Sequence, residues 1–122
     1  MRKVTREVTD AFFNRRPRKC GNTRTDGTTI WLHGNAIARH ADNGDIEITL
    51  AGWDTVTTRE RLNGVGRRAG FGVFRVRGVT KVASVIGVPT SDTDMSWQPI
   101  DIEMPHGEWI NPRKFVGQFA DK

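Results

Sequence analysis

Ten basic side chains fall into three groups in this chain. Arg15, Arg16, Arg18 and Lys19 form one run; Arg59, Arg61, Arg67 and Arg68 share one stretch; Arg75 and Arg77 stand two residues apart. Clustered cations suit a phosphate array, because each neutralised phosphate releases condensed counterions. Arginine adds a planar fork that grips phosphates and base edges bidentately. If the three groups converge, they make a nucleic-acid surface working mainly through phosphate contacts, on DNA or RNA. Within one helix Arg59 and Arg61 stand about 200° apart, so a single face cannot present both equally. The plain alternative is a solvated arginine-rich surface, and an acidic protein partner is a further one.

A second set could do acid–base chemistry. His33 and His40 flank a hairpin turn expected at Gly34-Asn35, and in register they would approach each other with Arg39 alongside. Two histidines and a cation are enough for a metal-independent nuclease, one imidazole taking a proton and the other giving one. The spacing equally suits two residues that merely end strands, so catalysis ranks third and no enzyme is expected.

Other chemistry is set aside on spacing. GVGRRA at 64–69 spells G-x-G-x-x-A, but that fingerprint needs a strand before its glycines, and these follow a helical stretch. No cofactor is expected. His33, His40, His106 and Cys20 stand at neither C-x-x-C nor H-x₃-H distance, and no metal is expected. A nucleophile elbow, a Walker loop and helically spaced carboxylates are absent, and DNGD at 42–45 and DTD at 92–94 read as turns.

These side chains need elements to position them. Residues 5–14 read as a short amphipathic helix, with Val4, Val8, Ala11 and Phe12 on one face and Pro17 beyond its end. Residues 15–27 read as a basic connection. A three-stranded antiparallel meander follows: Thr28 to His33, Ala36 to His40, then Ile46, Ile48 and Leu50 alternating with polar residues. Thr57 and Glu60 match a capping box, which starts a helix at TTRERLNG. Asn63-Gly64 reads as its stop, or as a kink if Leu62, Val65 and Ala69 continue the stripe. In FRVRGV, Phe74 and Val76 alternate with Arg75 and Arg77, which predicts a strand with both arginines on one face. KVASVIGV is strand or helix, VPTSDTDMSWQP a polar loop, and IDIEM a strand. PHGEWINPRK is turn-rich, with Trp109 pinning the tail. The tryptophans read mainly as core, unless an exposed Trp31 or Trp97 offers an open ring for stacking.

The whole chain is bounded by 122 residues, one ordinary domain, with 36% hydrophobic residues and a net charge of +5. The expected fold class is α+β: a small antiparallel meander sheet, a short N-terminal helix, and a capped basic helix packed on it, all in one domain over residues 1–122. Residues 1–81 carry sixteen Arg and Lys against eight Asp and Glu, whereas residues 82–122 carry three against six. No apolar run approaches the roughly 20 residues of a membrane span, and MRKVTREVTD has no signal-peptide h-region. A single cysteine fits a reducing cytoplasm.

The motifs GNT, LHGNAIA, AGW and TTRERLN occur in that order between residues 20 and 64. This stretch closely resembles a family of small proteins recurring in bacteriophage and prophage genomes; FRVRG and GEWI in the tail resemble it loosely. The chain departs from it most at VASVIGVPTSDTDMSWQP. The resemblance carries no established activity and no site residues. It implies an accessory protein made in the cytoplasm of an infected bacterium. In that setting the leading expectation is a non-enzymatic nucleic-acid-binding protein. The alternative is an inhibitor or modulator of a host protein, which an exposed apolar patch around Trp97 or Trp109 would favour.

Overall fold

The computed structural model describes residues 2–84 and 100–112. Trp97, the whole of the expected polar loop at 88–99 and the undecided end of KVASVIGV lie outside them. The elements run α1 (Lys3–Phe13), β1 (Arg18–Cys20), β2 (Thr23–Thr25), β3 (Thr29–Leu32), β4 (Asn35–His40), β5 (Ile46–Ile48), α2 (Val56–Ala69), β6 (Phe71–Val76), β7 (Val79–Ser84) and β8 (Ile100–Glu103). The fold is α+β, as its sequence predicts.

The meander has five strands rather than three, with β1 to β5 paired antiparallel in chain order. The presumed basic connection contains β1 and β2, each only three residues long and too short to show a period. The first hairpin turn also shifts by one residue. Leu32 pairs with Asn35, so the turn is His33-Gly34, with φ of 51° and 83°. Two consecutive positive φ values give the type I′ turn whose twist suits a hairpin, and glycine at the second position makes it cheap. On β4, Ile30 pairs with Ala38 and Trp31 with Ala36, which leaves Ile37 as a bulge.

The helices pack on one face of this sheet. α1 buries Thr5, Val8, Thr9 and Phe12, so two threonines replace Val4 and Ala11 on the inward stripe. They sit where α2 crosses, against Gly64. α2 does not stop at Asn63-Gly64; it runs to Ala69 and ends on Gly70 in the left-handed conformation. Gly64 and Gly66 are sites of close approach. A Cβ on Gly64 would lie 2.3 Å from the Thr5 methyl, and one on Gly66 2.0 Å from the Phe71 carbonyl oxygen. The cap also differs. Thr55, not Thr57, is the N-cap, its hydroxyl accepting from the Thr58 N–H at 3.1 Å. Glu60 is therefore too far along the helix to complete a capping box, and it pairs elsewhere.

β6, β7 and β8 form a second antiparallel sheet beside α2. Asn63 docks on the edge of β6, its amide donating to the Val73 carbonyl and accepting from the Val73 N–H, both at 2.7 Å. After β8 the chain returns to the first sheet, where Ile110 bridges Ile48. One core joins these parts: Val8 and Phe12 from α1, Leu62 and Val65 from α2, Ile30, Ile48 and Leu50 from the first sheet and its exit, and Val73 and Val82 from the second.

Candidate nucleic-acid interface

The ten expected cations do not share one surface. Arg61 is 4% exposed: its Nε donates to Thr23 at 2.9 Å, one Nη donates to Thr5 at 2.8 Å, and it pairs with Glu60. It ties α2 to α1 and β2 and is unavailable to a phosphate. Arg59 is mostly covered and paired with Asp54. Burial works to raise the Asp54 carboxyl, but the Thr80 hydroxyl and Arg59 outweigh it and hold the group below its ordinary value. Arg75 is exposed; it pairs across the ladder with buried Thr80, which puts it on the Asp54 side of β6, opposite Phe74 and Val76. Arg77 is not on the strand. It forms the turn with Gly78, at φ 51° and 81°, so the shared face expected for Arg75 and Arg77 does not exist.

The remaining cations diverge. Arg67 and Arg68 are exposed at the end of α2 and turn to different sides. Arg67 lines a shallow groove with Arg59 and Asn63. Arg68 lies 4.5 Å over the Phe13 ring, pairs with Asp10 at 3.1 Å, and lines another groove with Arg15 and His40. Arg18 leans toward α1 and pairs with Glu7 at 2.9 Å. Arg16 is exposed in the connection after α1.

Lys19 points the other way, toward a basic aromatic face that the sequence reading did not assemble. Residues directly opposite in an antiparallel ladder share a face. Lys19 pairs with Arg24, Arg24 with Trp31, and Trp31 with Ala36; a second row runs Thr29, Arg39, Glu47. Both rows lie on the side of the sheet opposite α1 and α2. The Arg24 guanidinium stacks 4.1 Å above the Trp31 ring, and that of Arg39 3.9 Å above Trp109. Trp109 precedes Ile110, which extends the sheet beyond β5. Glu47, bound to Arg39 at 2.9 Å, is the carboxylate within these rows. Thr23 and Thr25 turn inward around outward Arg24, but an alternation over three residues is too short to mark a strand in the sequence.

The histidine pair does not meet. His33 sits in the β3–β4 turn and His40 at the far end of β4, a strand of six residues or about 20 Å. His40 stacks on Phe12 at 4.1 Å and bonds the Phe12 carbonyl at 2.9 Å. Burial, with Arg15 nearby, holds its pKa below the ordinary histidine value. Among the described residues no His, Cys, Asp and Glu group is arranged to hold a metal, and no helix is long and apolar enough to cross a membrane. The GVGRRA glycines lie inside α2, away from any strand-to-helix turn. Trp109 is half-buried beneath Arg39, and the large apolar side chains exposed at the head of α2 are Trp53 and Val56, at 60% and 74%.

No curated protein and no solved structure matches the chain. A family model described as Kyanoviridae Gp96 protein matches residues 1–109, and on that extent the chain belongs to this family of phage-encoded proteins.

Proposed function

We propose that this protein is a non-enzymatic phage accessory protein that binds single-stranded nucleic acid on the outward face of its five-stranded sheet. Lys19, Arg24 and Arg39 meet the phosphates, and Trp31 and Trp109 offer their rings to unpaired bases. The observation that carries the reading is the pair of guanidinium–indole stacks on one sheet face. A stacked guanidinium covers an indole as a base would, so binding exchanges one planar partner for another and frees the arginine for phosphate. Trp31 on β3 and Trp109 beyond β5 are three strand spacings apart, about 14 Å, a span for a short stretch of extended strand. The ten cations of the sequence reading contribute Lys19 to this face; the others add a diffuse positive field that aids encounter.

The test is fluorescence anisotropy with labelled single- and double-stranded DNA and RNA across a salt series. Binding to the single strands should weaken linearly on log–log axes, with a slope near −0.7 per phosphate contact. Arg24→Ala should reduce that slope by about one contact, and Trp31→Ala should weaken binding by about tenfold without changing it. Absence of binding at low salt would overturn the reading.

A further inference from the structure

A cavity of about 510 Å³ lies away from the basic face, between the β3–β4 turn and the head of α2. Three motifs that are distant in sequence meet around it: Leu32, His33, Asn35 and Ile37 from LHGNAIA, Ala51 and Trp53 from AGW, and Thr57 and Thr58 from TTRERLN. Its floor is Leu32, Ile37 and Leu50, all buried. Its wall is Trp53, whose side chain is largely open to solvent. His33 and Ala51, two of the four non-glycine residues with positive φ among the described residues, stand on its rim. Such conformations concentrate at binding sites.

The geometry points to a binding site for a neutral, planar heteroaromatic ring of the nucleobase class. No lining residue carries a fixed charge, so a charged group placed here would lose its hydration without an ionic partner. The floor is apolar and the Trp53 indole offers a face for stacking. The Asn35 amide and the Thr57 hydroxyl have no hydrogen-bond partner among the described residues. An amide carries a donor and an acceptor together, which is what the edge of a nucleobase matches. The volume lies within the roughly 300–1,000 Å³ of small-molecule sites, where an apolar lining and a few polar groups set orientation. This site stands apart from the sheet face and does not rest on the reading given for it.

The probes are adenosine and uridine, titrated into protein with labelled methyl groups and followed by NMR, with benzoate as a charged planar control. We expect the nucleosides to shift the Leu32, Ile37 and Leu50 methyl resonances at millimolar concentration or below, and benzoate to leave them unmoved. Trp53→Ala, at an exposed position, should weaken nucleoside binding about tenfold. Thr57→Phe should close the mouth and abolish it. A parallel titration with a short single strand identifies the source of the ring. Methyl shifts with the strand, lost in Thr57→Phe, mean a base of the bound strand enters; shifts with nucleosides alone mean a free ligand. Unmoved methyls with both nucleosides and the strand, equal response to benzoate, or binding that survives Trp53→Ala would each overturn the assignment.

Discussion

Arg61 reaches Thr23 on β2, Thr5 on α1 and its neighbour Glu60 from a position that is almost fully covered, so one guanidinium joins three elements. Removing it would leave Thr5, Thr23 and Glu60 facing an empty site. We expect Arg61→Ala to destabilise the fold by about 3 kcal/mol, measured by urea unfolding, the magnitude found when one partner of a buried pair is lost. Arg24→Ala, on the outer face, should change stability by less than about 0.5 kcal/mol. Glu60 adds a pH dependence. Burial works to raise its carboxyl, but the Thr5 hydroxyl and Arg61 outweigh it and hold the group below its ordinary value. A depressed folded-state pKa gives stability that is complete above the ordinary carboxylate value and lost as pH falls through the lowered one. His40 is depressed as well, so its contribution starts to fall at the ordinary histidine value, higher on the pH scale. Thermal unfolding should therefore weaken in two acid steps. Glu60→Gln should reduce the lower step, to which the depressed Asp54 also contributes, and leave the upper one unchanged.

At the scale of elements, α2 runs through two glycines because its neighbours come too close for a side chain. Helix propensity alone predicts that Gly66→Ala stabilises by about 1 kcal/mol. Contact with the Phe71 carbonyl predicts the opposite, a loss of about 2 kcal/mol, since that neighbour is backbone and cannot swing aside. The sign of the change in Tm decides between them. The helix start gives a second check. Thr55→Ala should cost about 1 kcal/mol through the lost cap, while Thr57→Ala should be close to neutral. Here the sequence was legible in part. The stripe of Leu62, Val65 and Ala69 announced the longer helix, but the glycines argued against it, because the residues that require them, Thr5 and Phe71, come from other elements. Thr57 with Glu60 looked like a cap because the true cap, Thr55, reads identically as a threonine.

Across the whole molecule, charge is unevenly available. Arg59, Arg61 and Arg18 are committed to Asp54, Glu60 and Glu7, and Arg68 pairs with Asp10. Lys19 and Arg24, cross-strand neighbours on the outer face, form no such pair among the described residues. Alanine at both should lower single-strand affinity and cut the salt slope by about two contacts, whereas Arg68→Ala with Arg77→Ala should leave the slope nearly unchanged. Salt-dependent anisotropy of the two double variants separates a localised site from a diffuse field.

What the sequence determined by itself was periodic and local: the α+β class, α1, the β3–β4–β5 meander, the start of α2 to within two residues, the second half of β6, and β8. These follow from the repeat of apolar side chains along a chain, which needs no knowledge of partners. Only the tertiary structure decided how the cations are used. Whether an arginine is a buried strut, a turn residue or an open contact depends on which carboxylates and hydroxyls the fold brings to it, and Thr5, Thr23 and Asp54 lie up to 56 residues away from the arginines they bind. The same holds for the Arg24–Trp31 and Arg39–Trp109 stacks and for the cavity beneath Trp53. Their members stand on different elements, and sheet register together with the docking of α2 makes them neighbours.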